Sequence, residues 1–120
     1  MRFKIKAYYI LIGFYYFIGH STNAQDQGVA DSLYEIYLTD TLRGEAKMEL
    51  LKNLSFNQLN DYNLALKYAD ELINLAMQDD NMAYLAHGYI RKGNIEKLMG
   101  NLEDALNAFF QTAEIAKKKV

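Results

Sequence analysis

The sequence predicts an all-α protein built from antiparallel helical hairpins. Apolar residues recur at steps of three and four along most of the chain, and no segment keeps the two-residue alternation of a strand. The 120 residues include no proline, which favours uninterrupted helices. Short polar stretches separate the periodic segments, so neighbouring helices are expected to fold back on one another. The length allows one small domain.

Residues 1–24 have the layout of a secretory signal peptide. Three basic residues precede a run of 13 apolar, aromatic and glycine residues, 7–19, and a short polar tail ends at Ala24. The run is shorter than the roughly 20 residues that a membrane-spanning helix needs. Cleavage after Ala24 and a secreted or periplasmic mature protein are therefore expected. An uncleaved anchor and a buried helix of a cytosolic domain are the alternatives.

Residues 25–42 are expected to form an N-terminal helix and a linker, with the helix over about 29–38 and Asp40 and Thr41 ending it. A polar connector precedes the fourth helix, where Asp80 or Asn81 can supply an N-cap. The fifth helix ends in lysines, and positively charged side chains stabilise the C-terminal end of a helix. The four later helices are expected at residues 43–59, 62–77, 82–99 and 102–118.

The third and fifth helices carry the same apolar stripe at a spacing of 40 residues. The apolar stripe of the third helix has seven positions. The residues 40 positions later, in the fifth helix, are six apolar residues and the small Thr112. The preceding turns also correspond, because Asn60 and Asp61 stand where Gly100 and Asn101 stand in the second copy. Asp61 and Asn101 are suited to cap the helices that follow them.

The second and fourth helices correspond at the same spacing. Residues 50–59 align with residues 90–99, and each segment leads directly into a polar turn. The region 43–120 is therefore expected to hold two helical hairpins, 43–79 and 80–118.

The second hairpin resembles the tetratricopeptide repeat. Large aromatic, small and turn residues stand where that family has them, at Tyr89, Gly93, Gly100, Ala105 and Phe109. Ala65 is the small residue of the weaker first hairpin. Two features depart from the family pattern: Glu96 occupies a position that is usually aromatic, and the period is 40 rather than 34. The resemblance implies that the hairpins stack as a short right-handed solenoid.

The resemblance also implies a concave groove that binds a protein or peptide partner and is lined by the first helix of each hairpin. Asn94 and Lys97 could there hydrogen-bond a peptide backbone or a carboxylate. A solvated helix face is the alternative. Helix periodicity places on this face Lys47, Leu50, Leu54, Asn57 and Gln58 of the first hairpin and His87, Ile90, Asn94, Lys97 and Leu98 of the second.

The order of an exported segment followed by helical hairpins is similar to the N-terminal, extracytoplasmic region of certain bacterial signalling proteins. In those proteins a membrane-spanning helix and a catalytic or regulatory domain follow. The alternative function is therefore the sensory region of a membrane-bound adenylate or guanylate cyclase or of a sensor histidine kinase, to which the helical array would transmit its occupancy.

Catalysis, cofactors and metals are not expected. The sequence has no cysteine, and His87 is the sole histidine after the predicted cleavage point, which makes a zinc site improbable. Its serines and threonines have no histidine and aspartate partners arranged to activate a nucleophile. It also lacks a glycine-rich phosphate loop.

The charge distribution argues against nucleic acid as a partner. From residue 25 onward the chain carries 10 basic and 15 acidic residues. Affinity for nucleic acid comes mainly from neutralising phosphates, and an acidic body does this poorly. The same charge disfavours anionic lipid, so no membrane contact is expected unless the N-terminal segment is retained.

The last helix is expected to leave an apolar face uncovered. Two hairpins are fewer than the roughly three repeats that a stable stack needs. Phe109 and Phe110 point in different directions, and Ala108 and Ile115 lie on a further stripe, so one neighbour cannot cover them all. An open face near Phe110 and Ile115 is expected to await further repeats of a longer array, a partner or self-association.

Overall fold

The computed structural model describes residues 24–118 and shows an all-helical protein. No strand occurs within these residues. The predicted all-α class is confirmed, and each expected helix boundary agrees within two residues. The helices are α1 (Gln27–Thr39), α2 (Gly44–Asn57), α3 (Tyr62–Gln78), α4 (Met82–Leu98) and α5 (Leu102–Lys118).

Residues 1–23, which make up nearly all of the predicted signal peptide, lie outside the described part of the chain. Within the described part, none of the five helices has both the length and the apolar character that crossing a bilayer requires.

Side-chain caps begin three of the helices. Asp61 accepts a hydrogen bond from the Leu64 N–H at 3.1 Å, and Asn81 accepts one from the Tyr84 N–H at 3.2 Å. The Asp61 cap was expected, and Asn81 is one of the two candidates for α4, the other being Asp80. Asp26 caps α1 in the same way, which explains why this helix begins two residues before the first predicted position. The Asn101 side chain, expected to cap α5, instead donates to Glu96.

The turns after α3 and α4 have the same backbone structure. Asp80 (φ 52°) and Gly100 (φ 83°) both adopt the left-handed conformation. The N–H of the following residue donates a hydrogen bond to the carbonyl oxygen five positions before it. Asn81 donates to Ala76 and Asn101 donates to Glu96, both at 2.9 Å. This pattern is the Schellman motif, which satisfies carbonyl groups left free at a helix end.

The turn between α2 and α3 is built differently, so the expected match between Asn60 and Gly100 does not hold. The side-chain amide oxygen of Gln27 accepts hydrogen bonds from the N–H groups of Leu59 and Asn60, at 2.6 Å and 2.9 Å. This turn is therefore closed by a side chain of α1 rather than by its own backbone.

Successive helices pack against each other, and α2 also packs against α4. The short connections make successive helices antiparallel. In contrast, α2 and α4 run parallel, because contacts between them join residues at one constant separation. Glu49 meets Tyr84, and Phe56 meets Arg91, each pair being 35 residues apart.

The core lies where α2, α3 and α4 meet. Its largest fully buried side chains are Met48, Leu51, Leu54, Tyr68 and Leu72. The N-terminal helix α1 closes one side of this core through Tyr37. The Tyr37 ring packs edge-on against Tyr68, with ring centroids 5.3 Å apart, and its hydroxyl donates to Glu71 at 2.9 Å.

The positions that carry the family resemblance lie at contacts between helices or in the turn. Ala65 and Ala105 are buried, and Tyr89 packs against the core while half-buried. Gly93 is buried under the ring of Phe109. Small residues at these points let neighbouring helices approach closely.

Two expectations about exposure need correction. Ile115 is 8% exposed and belongs to the main core, so it does not extend the open face of α5. Ala108 is buried as well, whereas Phe110 is 59% exposed as expected. Glu96, at the position that departs from the family pattern, is 5% exposed and accepts a hydrogen bond from the Asn101 side chain at 2.8 Å.

Candidate functional site

The groove residues predicted on α2 are mostly covered. Leu50 and Leu54 are buried in the core. Asn57 is also buried, and its side-chain oxygen accepts a hydrogen bond from the Asp26 N–H at 2.9 Å. Lys47 is half-buried and pairs with Asp40 at 3.5 Å. These four residues face the core or α1, so they do not belong to an accessible groove, and Gln58 is half-buried in the turn after α2.

The groove residues predicted on α4 are better placed. Asn94, Lys97 and Leu98 are exposed and line a cavity of about 210 Å³ where the C-terminal parts of α2 and α4 meet. We call this cavity the α2–α4 groove. His87 and Ile90 lie nearer the start of α4 and are half-buried. The other residues that line the groove are Gln25, Ser55, Phe56, Arg91 and Ile95.

Arg91 and Phe56 join the two walls of the α2–α4 groove. The Arg91 guanidinium carbon lies 4.6 Å from the centroid of the Phe56 ring, within the range of a cation–π interaction. Burial lowers the pKa of Arg91 from its ordinary value. Its Nε is buried and has no hydrogen-bond acceptor among residues 24–118. Protein atoms cover Nε itself, so a ligand oxygen in the groove would accept from the terminal N–H groups of the guanidinium fork.

A polar cluster holds α2 against α4 beside the groove. The Tyr84 hydroxyl donates to Glu49 at 2.7 Å, and Lys52 pairs with the same carboxylate at 3.0 Å. This hydrogen bond, with burial second, raises the pKa of Tyr84 to about 12. Burial would raise the pKa of Glu49, but the bonds from Tyr84 and Lys52 outweigh it and lower that pKa. Glu49 is therefore ionised and Tyr84 neutral at pH 7.

His87 adjoins this cluster, with its ring centroid 5.9 Å from that of Tyr84. Burial, followed by the nearby cations Lys52 and Arg91, lowers the pKa of His87, although Glu49 acts in the opposite direction. The imidazole is therefore mainly neutral at pH 7 and contributes no cation to the groove.

A second cavity, of about 330 Å³, lies between α4 and α5 and has a polar lining that includes Lys92 and Glu96. Two of its three charged groups, Lys92 and Glu96, are engaged within the protein, and Asp104 is the third. Lys92 pairs with Asp70 at 2.8 Å, and Glu96 accepts from Asn101. Across residues 24–118, no three histidine or acidic side chains come close enough together to hold a metal ion.

Sequence reasoning did not include Phe56 and Arg91 among the groove residues. The two helices were aligned by the 40-residue spacing, whereas their contacts in space join residues 35 apart. The available signal was an aromatic residue on α2 and an arginine on α4, two helices that run in the same direction when successive helices fold back on one another.

The sequence matches no protein-family model, and searches of curated proteins and of solved structures gave no match either. The tetratricopeptide resemblance therefore stays a prediction.

Proposed function

We propose that this chain is a non-catalytic, tetratricopeptide-like scaffold that binds an extended peptide segment of a protein partner in the α2–α4 groove. Three features support this proposal: the antiparallel hairpins, the parallel packing of α2 on α4, and the cavity at the ends of these two helices. We further propose that the hairpins stack as the beginning of a right-handed solenoid, with α2 and α4 on its concave side.

The observation that carries the proposal is the environment of Arg91. A guanidinium that is stacked on Phe56 and has a buried, unpaired Nε donor has lost hydration without full compensation. A carboxylate or backbone carbonyl oxygen of a bound peptide that accepts from the terminal N–H groups of Arg91 would offset part of this cost. Such charge-assisted bonds are among the stronger polar contacts in proteins.

The neighbouring side chains suit the rest of an extended peptide. Leu98 is 49% exposed and can pack with Phe56 against an apolar side chain of the ligand. Asn94 can donate to and accept from a peptide backbone, and Lys97 adds a second cation. The groove therefore favours a segment with an apolar residue next to an acidic residue or a free C-terminus.

We propose that binding takes place outside the cytoplasm, because residues 1–24 read as an export signal. The sensory region of a membrane-bound cyclase or histidine kinase stays the alternative role. In that role the same groove would be the sensing site.

The proposal is tested by selecting binders from a random 12-residue peptide library displayed on phage, with the immobilised chain as bait. The affinity of the selected peptides is then measured for Phe56→Ala, Arg91→Ala and the matched control Lys67→Ala, which changes an exposed cation on α3. Removing a charged hydrogen bond and its stacking partner should weaken binding by roughly 10- to 100-fold. Unchanged peptide affinity in both Phe56→Ala and Arg91→Ala would overturn the proposal.

A further inference from the structure

We propose that two copies of this chain pair through α5 in an antiparallel, two-fold symmetric dimer. The interface is the α5 stripe, which we define as Leu102, Leu106, Phe110 and Ala113. It lies apart from the α2–α4 groove, and the inference is independent of the proposed function.

The stripe is large, apolar and exposed. Leu102, Leu106 and Phe110 are 68%, 70% and 59% exposed, respectively. At about 100° per helical residue, the four stripe residues fall within an arc of about 80° on one side of α5. Apolar side chains gathered on one surface in this way mark an interaction site, whereas scattered ones need no explanation.

A different face of α5 already packs against the rest of the protein. Ala105, Ala108 and Ile115 are buried, and Phe109 covers Gly93 of α4. Turning α5 to bury the stripe would therefore expose these residues. Another molecule can cover the stripe without changing the fold.

The charges of α5 favour a second copy as the occupant. The first turn carries Glu103 and Asp104, and the last turn carries Lys117 and Lys118. Lys117 also pairs with Glu114 of its own helix at 3.4 Å, but this pair is exposed and can be shared with a second copy. In an antiparallel pair, the acidic end of each helix meets the basic end of the other, and this happens at both ends of the interface. A parallel pair would bring like charges together at both ends.

The spacing of these residues defines the register. Glu103 and Lys117 lie seven residues before and after Phe110, so a two-fold axis at Phe110 places each Glu103 opposite the other copy's Lys117. The same axis stacks the two Phe110 rings and sets the large Leu106 beside the small Ala113. An interface of this kind closes at two copies.

The exposed apolar residues of α1 are a less suitable partner. Leu38 is 57% exposed, but the segment Gln27–Thr39 contains no lysine or arginine to meet Glu103. Contact between α5 of one copy and α1 of the next would also be head-to-tail and would not close.

The test is sedimentation velocity on the full chain from about 1 to 500 μM, a range that resolves micromolar dimers. The unchanged chain should show a monomer–dimer equilibrium. Phe110→Glu should raise the dimer dissociation constant at least about tenfold, because it places two carboxylates at the axis. The matched control Leu38→Glu should leave the constant unchanged.

Charge exchange tests the antiparallel register. Glu103→Lys and Lys117→Glu should each weaken the dimer by roughly three- to tenfold at low salt, since each places like charges face to face twice. The double variant should return to the original dissociation constant. Parallel pairing predicts no such restoration.

Three results would overturn the dimer: a chain that stays monomeric throughout the range, a dimer that Phe110→Glu leaves intact, or a double variant without restored affinity. Assemblies that grow with concentration and are lost in Leu38→Glu would assign the stripe to head-to-tail contact instead. Peptide binding by Phe110→Glu reports separately on the α2–α4 groove.

Discussion

The ring of Phe109 covers Gly93 so closely that a Cβ built at residue 93 would lie 2.5 Å from the ring carbon Cε1. This contact joins α4 to α5. The second hairpin therefore depends on the absence of a side chain at one position and the presence of an aromatic ring at the other.

Gly93→Ala should destabilise the protein. The added methyl group forces the Phe109 ring to move, and overpacking of this kind costs roughly 1–3 kcal/mol. The better helix propensity of alanine offsets about 1 kcal/mol of this. We expect a net loss of up to about 2 kcal/mol in the free energy of unfolding, measured by urea denaturation. In a Phe109→Leu background the same change should be neutral or stabilising, and an unchanged cost there would show that the ring is not responsible.

The two Schellman turns provide a matched pair of substitutions. Asp80 and Gly100 occupy the same left-handed position, where a side chain is unfavourable. Asp80→Gly should stabilise the protein by about 0.5–1 kcal/mol, and Gly100→Ala should destabilise it by about 1 kcal/mol. Thermal melts should therefore shift in opposite directions. A shift in the same direction for both would contradict the common turn geometry.

Arg91→Met should separate stability from binding. Methionine keeps an apolar stem beside Phe56 but removes a partly desolvated charge and its unpaired Nε. The free energy of unfolding should stay within about 1 kcal/mol of the original or rise. Peptides selected on the original chain should bind at least about tenfold more weakly. A large loss in the free energy of unfolding of Arg91→Met would show that Arg91 has a structural role instead.

Stability should fall between pH 7.5 and pH 5.5 because of His87. The unfolded chain takes up a proton near the ordinary pKa of 6.5, whereas the folded protein resists protonation because burial lowers the pKa of His87. The unfolded state binds more protons, so acid favours it. Glu49, whose pKa is lowered from 4.5, contributes only at lower pH. Denaturant titrations of His87→Gln should show a flatter pH dependence in this window, and an unchanged slope would exclude His87 as its source.

Tyr84→Phe should weaken the contact between α2 and α4 at neutral pH. The lost hydrogen bond to Glu49 is partly exposed, so a cost of about 0.5–1.5 kcal/mol is expected. The folded pKa of about 12 exceeds the ordinary value of 10, so this contribution is present below pH 10 and is lost as the pH rises to 12. The two proteins should therefore differ in unfolding free energy at pH 8 and converge near pH 12.

The helices were predictable because their signals are local. The three- and four-residue periodicity placed the ends of α3 and α5 to within one residue. Asp61 caps α3 as expected, and Asn81, one of two candidates, caps α4. Contacts between helices depend on register, which local patterns do not contain. The repeat spacing of 40 suggested which residues share a groove, but packing set the actual offset at 35.

Most of the remaining differences between the predicted and the observed contacts come from the N-terminal helix α1. It has no counterpart in the hairpin repeat, so the sequence did not reveal which surface it covers. Its packing hides Leu50 and Asn57. The Gln27 side chain closes the α2–α3 turn, which was expected to match the turn at Gly100. Asp26 and Gln27 look like ordinary polar residues until their partners more than 30 positions away are known.

Gln25 lines the α2–α4 groove, and the next residue, Asp26, is tied to Asn57 through its backbone N–H. Cleavage after Ala24 would make Gln25 the first residue of the mature chain. A free ammonium group, with a pKa of about 8, would then stand at the rim of a groove that already contains Arg91 and Lys97. With that cleavage, the groove would attract an anionic ligand more strongly in the shortened chain than in the full-length chain.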